Sequence, residues 1–253
     1  MSDKQVDRIN LLLAKAENAA TKEEADAYNA KASELMIRYG IEQAMLAAAQ
    51  AGKDVTEAIV EVEIAFTGMF DETFKNQAWH VSRALTDGAV SGFHRSGFKA
   101  YNGEKIPLRL TLIGFESDID NCKAMIASLR LQCESELFDW WEQNKGGYKY
   151  YSQYDKKVAR RAFIEGYTMA ACQKIRNVYR KVKEEATSQG TGAEVALVDR
   201  KKQVDQYMDK FNLGKARARY ARTDASGRAA GRAAGGRADV GGRAVRNAGR
   251  IGA

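Results

Sequence analysis

The chain has 253 residues, 45% hydrophobic and 29% charged, enough for one large domain or two small ones whose core needs neither disulfides nor a structural metal. A single proline (Pro107) among 22 glycines excludes collagen-like and proline-rich linker classes and leaves long helices uninterrupted. The net charge of +7 is uneven: residues 214–253 hold nine arginines and one lysine against two aspartates, net +8, and the preceding 213 residues net −1.

Residues 4–18 have helical spacing, with Val6, Ile9, Leu12 and Leu13 on one side. Thr21 is a good N-cap and Glu24 closes a capping box. The helix that follows runs from Lys22 through Ala25, Tyr28, Ala32, Leu35 and Met36, and Gly40 occupies the stop position. Two antiparallel helices joined by a short turn are predicted, with the alanine-rich stretch Ile41–Ala51 continuing helically.

The string I-N-L-L-L-A-K-A-E-N-A-A-T-K-E-E-A-D-A-Y-N-A-K-A-S-E-L-M-I-R-Y-G-I, from Ile9 to Ile41, resembles the helical N-terminal module of a family of unknown function numbered 2786 (DUF2786), found in bacteria and their phages. The likeness covers about Val6 to Ala44. Residues from roughly Val60 to Phe211 are similar to the companion domain that commonly follows, through L-I-G-F-E-S-D-I-D, R-R-A-F-I-E-G-Y and A-L-V-D-R. The resemblance implies an arrangement of domains and a phage or prophage setting. It carries no established activity and therefore no catalytic residues.

The middle segment reads as α+β. Ile59–Phe66 alternates Val60, Val62 and Ile64 against Glu61 and Glu63, a half-buried strand. Met69–Leu85 has helical spacing; Ala89–His94 and Leu108–Phe115 are strands joined by a loop with Gly97, Asn102 and Gly103. A long helix from about Asp118 to Gln143 follows, with the stripe Ile119, Cys122, Ile126, Leu129, Cys133, Leu137, Trp140. After a break at Gly146–Gly147 comes a second long helix, about Asp155 to Ala186, with Ile164, Ala171, Ile175, Val178 and Val182 inward. A short strand at Val195–Val198 and a helix to Leu213 complete the ordered body. The expected fold is a helical hairpin module (1–52), then a small, mainly antiparallel sheet covered by two long helices (58–213), then a disordered Gly/Arg/Ala tail (214–253).

Catalytic and metal-binding motifs are missing from the sequence. No GxSxG, phosphate-binding loop or dinucleotide fingerprint occurs. His80 and His94 stand outside any metal-ligand motif and read as structural or surface residues. The three cysteines have no CxxC spacing; Cys122 and Cys133, about 16 Å apart along a helix, cannot form a disulfide. They read as core thiols, with a reactive or regulatory role as the other reading. No cofactor, metal or catalytic residue is expected. An enzyme would need a constellation such as His80, His94, Asp87 and Glu116 assembled across the fold.

Charge gathers in two further places. Residues 145–183 hold eleven basic groups against Asp155 and Glu165, net +9, interleaved with Tyr148, Tyr150, Tyr151 and Tyr154. The first 66 residues net −5. Basic groups neutralise phosphates and exposed tyrosines offer faces on which unpaired bases stack; the competing reading is a solvated helix whose tyrosines pack inward. The tail repeats Gly-Arg-Ala at Gly227, Gly231, Gly236 and Gly242. With almost no large apolar side chain it is expected to be disordered alone and able to wrap a phosphate backbone. Its other readings are a solubilising extension, or a Gly/Ala surface that docks on a partner helix by close backbone approach.

The leading functional expectation is a non-enzymatic nucleic-acid-associated protein. It would grip single-stranded or non-specific nucleic acid through Lys149, Tyr150, Tyr151, Lys156, Lys157, Arg160 and Arg161, and through tail Arg228, Arg232 and Arg237. The acidic N-terminal module would dock a protein partner. The alternative is an interaction or assembly factor binding a host component or the virion, without nucleic-acid contact. The start MSDKQVDRIN has no apolar signal region and the longest apolar stretch, Met45–Ala51, is too short to span a bilayer, so no membrane contact and a cytoplasmic location are expected.

Overall fold

The structure, a computed structural model, describes residues 20–49, 57–95, 107–188, 192–211 and 222–238, together with Arg8, Leu11, Leu12, Lys15, Asn18, Leu213 and Val240. Its elements run α1 (Lys22–Ala49), β1 (Ile59–Phe66), α2 (Asp71–Leu85), β2 (Ser91–Arg95), β3 (Leu108–Phe115), α3 (Glu116–Asn144), α4 (Gln153–Ser188), α5 (Ala193–Met208) and α6 (Ala225–Arg237). This is an α+β chain. It groups into two compact units: unit 1 is Met1–Ser33, Ala124–Lys174 and Arg217–Ala253, and unit 2 is Glu34–Lys123 and Ile175–Ala216. The boundaries fall inside α1, α3 and α4 and cut across the composition segments 1–52, 58–213 and 214–253.

Ahead of α1, Arg8, Leu11, Leu12 and Lys15 are helical; Val6, Ile9 and Leu13 lie outside the described residues. The Lys15 ammonium sits 5.9 Å from the Tyr28 ring centroid. The cap forms at Thr21, whose Oγ1 accepts from Glu24 N at 3.1 Å. Glu24 Oε2 returns to the Ala20 N–H at 3.3 Å, one residue before the cap. Gly40 does not stop the helix. Met36, Ile37, Ile41 and Ala44 are buried on both sides of it, and that packing outweighs the roughly 1 kcal/mol cost of a mid-helix glycine.

Unit 2 holds the sheet, ordered β1-β3-β2 with both pairings antiparallel. Val62 pairs with Leu112 and His94 with Leu110. Central β3 buries Leu110, Thr111, Leu112 and Ile113, whereas edge β1 keeps the expected alternation, Glu61 and Glu63 outward. α2 lies against β1 and β3, and α5 against β2 and β3. Val204 of α5 packs with Ile113 and Phe115, joined by Ile59, Phe93, Tyr207, Met208 and Phe211. The first turn of long α3 closes on Gly114, where an added Cβ would be 3.5 Å from Ile119.

Val195–Val198 is helix, part of α5, and not a strand. The face it buries is Ala193, Ala196, Arg200 and Val204, at helical spacing, while Val195 and Val198 point to solvent. The short β-branched run is thus the outer face of a helix whose inner face carries small residues and an arginine.

The tail departs from expectation over residues 225–237, which form α6; residues 214–221 and 241–253 lie outside the described residues. Asp224 caps it, accepting from Gly227 N at 2.7 Å. Gly227, Gly231 and Gly235 recur every four residues and are buried. A methyl group added at each would overlap the carbonyl oxygens of Ala159, Phe163 and Tyr167 on α4, also four apart, and one added at Gly166 would overlap the Arg228 carbonyl. The helix is therefore held by backbone contact, a glycine stripe seated against α4, where dispersion and Cα–H···O contacts accumulate without large side chains. Lys174 Nζ donates to the Ala238 carbonyl at 2.6 Å, a cation at the helix's negative end. The docked Gly/Ala surface is the reading that holds for this stretch, with α4 of the same chain as partner helix.

Candidate nucleic-acid interface

The tyrosine-bearing segment is the link between α3 and α4, within unit 1. Asn144 Nδ2 donates to Trp140 O at 2.8 Å as α3 ends, and Gly147, Tyr148, Lys149 and Tyr151 N–H groups each bond a carbonyl three residues back. Ser152 then starts α4, its Oγ accepting from Asp155 N at 3.1 Å and donating to Asp155 Oδ2 at 2.7 Å. The consecutive turns send successive tyrosines different ways.

Tyr148 turns inward. Its ring lies 6.2 Å from Trp140, 5.4 Å from Trp141 and 5.3 Å from Tyr151, and its hydroxyl donates to Asp224 Oδ1 at 3.1 Å. Burial and the Asp224 carboxylate push its phenol above the usual tyrosine range. Tyr150, Tyr151 and Tyr154 turn outward and are 91%, 54% and 58% exposed.

Of the ten residues expected to bind, the turn gathers Lys149, Tyr150, Tyr151, Lys156 and Lys157. Lys149 Nζ lies 5.6 Å from the Tyr150 ring centroid, and Lys156 Nζ reaches the Lys149 carbonyl at 3.5 Å. Lys157 is exposed and makes no hydrogen bond or ion pair among the described residues. Arg160 is turned to structure: its guanidinium sits 4.8 Å from the Trp141 ring centroid, its Nε donates to Lys156 O at 3.1 Å, and burial lowers its pKa. Arg161 is 3.5 Å from Glu165 and donates to the Arg222 carbonyl. In α6, Arg228 reaches Met169 Sδ at 3.7 Å and Arg237 pairs with Glu136 at 3.0 Å. Arg232 alone of the three is exposed without a partner among the described residues.

Sequence reasoning missed the second wall of this site. Arg222, ahead of α6, pairs with Asp155 at 3.0 Å, and Asp224 ties the α6 cap to Tyr148. The available signal was Asp224 three residues before the glycine that begins a four-residue Gly repeat, an N-cap pattern. Trp141 was outside the expected set because only its neighbour Trp140 fits the apolar stripe.

Residues 4–43 match the family described as Protein of unknown function (DUF2786). That N-terminal segment resembles DUF2786, and the match does not extend to residues 60–211. No curated protein and no solved structure matches the chain.

Unit 2 holds a second polar centre. Arg200, 2% exposed, donates to Asp118 Oδ2 at 3.0 Å, Glu57 Oε2 at 2.8 Å and Ser117 Oγ at 3.0 Å, with its guanidinium 3.9 Å from the Phe115 ring centroid. Burial holds Asp118 above the usual carboxylate range despite Arg200; at Glu57 burial is outweighed by bonds from Arg200 and Ser117, leaving it below. The adjoining cavity, lined by Thr86, Asp118, Asn121, Tyr179 and Arg200 among others, has about 20 Å³, room for one water molecule. Neither His80 nor His94 lines it. Burial first, then Arg176 and Arg83 at His80 and Lys75 at His94, lower both histidines. All three cysteines are buried and burial pushes the Cys122 thiol well up, the environment of core thiols. Among the described residues no group of three or more His, Cys, Asp or Glu could hold a metal ion, and no helix is long and apolar enough to cross a membrane.

Proposed function

We propose that this is a nucleic-acid-binding protein without catalytic activity, acting in the cytoplasm in a phage or prophage setting, and that unit 1 grips the ligand at the α3–α4 turn. The observation that carries the reading is the joint exposure of Tyr150, Tyr151 and Tyr154 beside Lys149, Lys156 and Lys157. Tyrosines serving only as core would be covered, as Tyr167 and Tyr179 are. Three lysines facing phosphates give log affinity a slope of about −2 to −3 against log salt. The acidic N-terminal module serves as the protein-docking part of the proposal.

The test is fluorescence anisotropy of the full chain on a labelled oligonucleotide across salt, with Lys149→Gln, Lys156→Gln and Lys157→Gln combined. The slope should fall by about 2 in the triple variant. Absence of binding in ~50 mM salt, or a slope untouched by the triple substitution, overturns the proposal. Deleting 214–253 is a poorer test, because it strips α6 from its seat on α4.

One observation favours an interaction or assembly factor instead. Leu131 and Phe138, one heptad apart on α3, are both exposed, a protein-docking ridge. A partner that survives nuclease treatment and is lost on Phe138→Ser supports that reading.

A further inference from the structure

We infer that the ligand of the α3–α4 turn is unpaired, single-stranded nucleic acid, which the turn holds by stacking bases on Tyr150, Tyr151 and Tyr154. The inference rests on the nucleic-acid reading above and narrows it to one substrate class.

Two features argue for it. The first is a cluster of flat groups: the Arg160 guanidinium 4.8 Å from the Trp141 ring, Trp141 5.4 Å from Tyr148 at a tilt of 36°, and Tyr148 5.3 Å from Tyr151 at a tilt of 59°. The inner members are fixed, Arg160 by the Lys156 carbonyl and Tyr148 by Asp224. The cluster ends at half-exposed Tyr151, whose ring is held from within by Tyr148 and left open for a base to stack on. Tyr150, backed by Lys149 at 5.6 Å, and Tyr154, one turn of chain further, stand on either side of it in sequence. In a duplex the base faces are covered by their neighbours, and such rings find nothing to stack on; an unpaired strand offers a face at every base.

The second feature is the modest charge. The turn offers Lys149, Lys156 and Lys157, while Arg222 is engaged by Asp155 at 3.0 Å and Lys145 by Glu142. Duplex binders without base readout rely on many phosphate contacts. Three lysines provide few, so stacking must supply a large share of the affinity, and that share is available only from unpaired bases.

The experiment compares a labelled twelve-nucleotide oligothymidylate with a labelled twelve-base-pair duplex, both titrated with the full chain in ~50 mM salt. The single strand should bind at least tenfold more tightly. Tyr150→Ala and Tyr151→Ala should each weaken single-strand binding at least about fivefold and leave duplex binding unchanged, while Tyr150→Phe and Tyr151→Phe retain it. Tyr150 is almost wholly exposed, so its variant keeps the fold, which far-ultraviolet circular dichroism checks. Equal affinity for the two probes, or an unaltered Tyr150→Ala, overturns the single-strand inference and leaves the nucleic-acid reading standing. Binding of neither probe overturns both.

Discussion

The seat of α6 on α4 can be tested with two neighbouring glycines that should respond in opposite directions. A methyl group at Gly231 would overlap the Phe163 carbonyl oxygen and crowd its carbonyl carbon at 2.7 Å and its Cα at 2.9 Å, whereas one at Gly236 meets nothing within 4 Å. The obstruction at Gly231 is main chain in the middle of α4 and cannot swing aside. Overpacking of this kind costs about 1–3 kcal/mol, against the roughly 1 kcal/mol that alanine gains over glycine in a helix. The α6 sequence carries Gly227, Gly231, Gly235 and Gly236 in thirteen residues, a penalty near 3–4 kcal/mol relative to alanine, and so short a helix is marginal on its own. Its order thus depends on docking. Gly231→Ala should release amide protection over 225–237 by tenfold or more, and Gly236→Ala should increase it, both read by hydrogen exchange with mass spectrometry. Unchanged protection in Gly231→Ala, or equal damage from Gly236→Ala, refutes the backbone-contact explanation.

Three further outcomes follow from unit 2. Arg200→Met leaves Asp118 buried without its partner and should cost about 3–5 kcal/mol in urea unfolding; the loss should shrink as pH falls toward the raised Asp118 pKa, and an insensitive midpoint contradicts the network. His80 and His94 both titrate below the usual value of 6.5, so the unfolded chain binds more protons just below that pH. Stability should therefore be complete above about pH 6.5 and decline on acidification through the window down to the folded-state values, a slope in melting temperature that His80→Gln with His94→Gln flattens. Gly40→Ala should stabilise by about 0.5–1 kcal/mol, because its Cβ would meet Asp118 Oδ1 at an ordinary 3.5 Å; a destabilised variant would show that α1 bends there.

Much of the fold is legible where side chains of contrasting polarity alternate. β1 and β3 are found at Ile59–Phe66 and Leu108–Phe115 because period-two patterning has no helical rival there, and the Gly146–Gly147 break separates the two long helices. The misread elements were each decided by tertiary packing that the local pattern does not show. Gly40 looked like a stop and is carried through by Met36, Ile37 and Ile41 on its flanks. Val195 and Val198 looked buried, yet Ala193, Ala196 and Arg200 face inward. The tail looked unable to pack because hydrophobic area was sought in its side chains, whereas its contact surface is backbone exposed by glycine. At the candidate interface the residue types were legible from the clustering of Lys and Tyr. Their division into engaged and available groups was not, since Trp141, Glu165, Asp155 and Asp224 reach the site from α3, α4 and the α6 cap.

Photo-crosslinking tests the central claim most directly. A single-stranded oligonucleotide carrying 5-iodouridine is irradiated with the full chain, and the joined peptides are sequenced by mass spectrometry. Crosslinks should fall on Tyr150, Tyr151 or Tyr154, in the peptide that bears Lys149 and Lys156. Crosslinks confined to unit 2, or none while the N-terminal module still captures a protein partner, would contradict nucleic-acid binding at this turn.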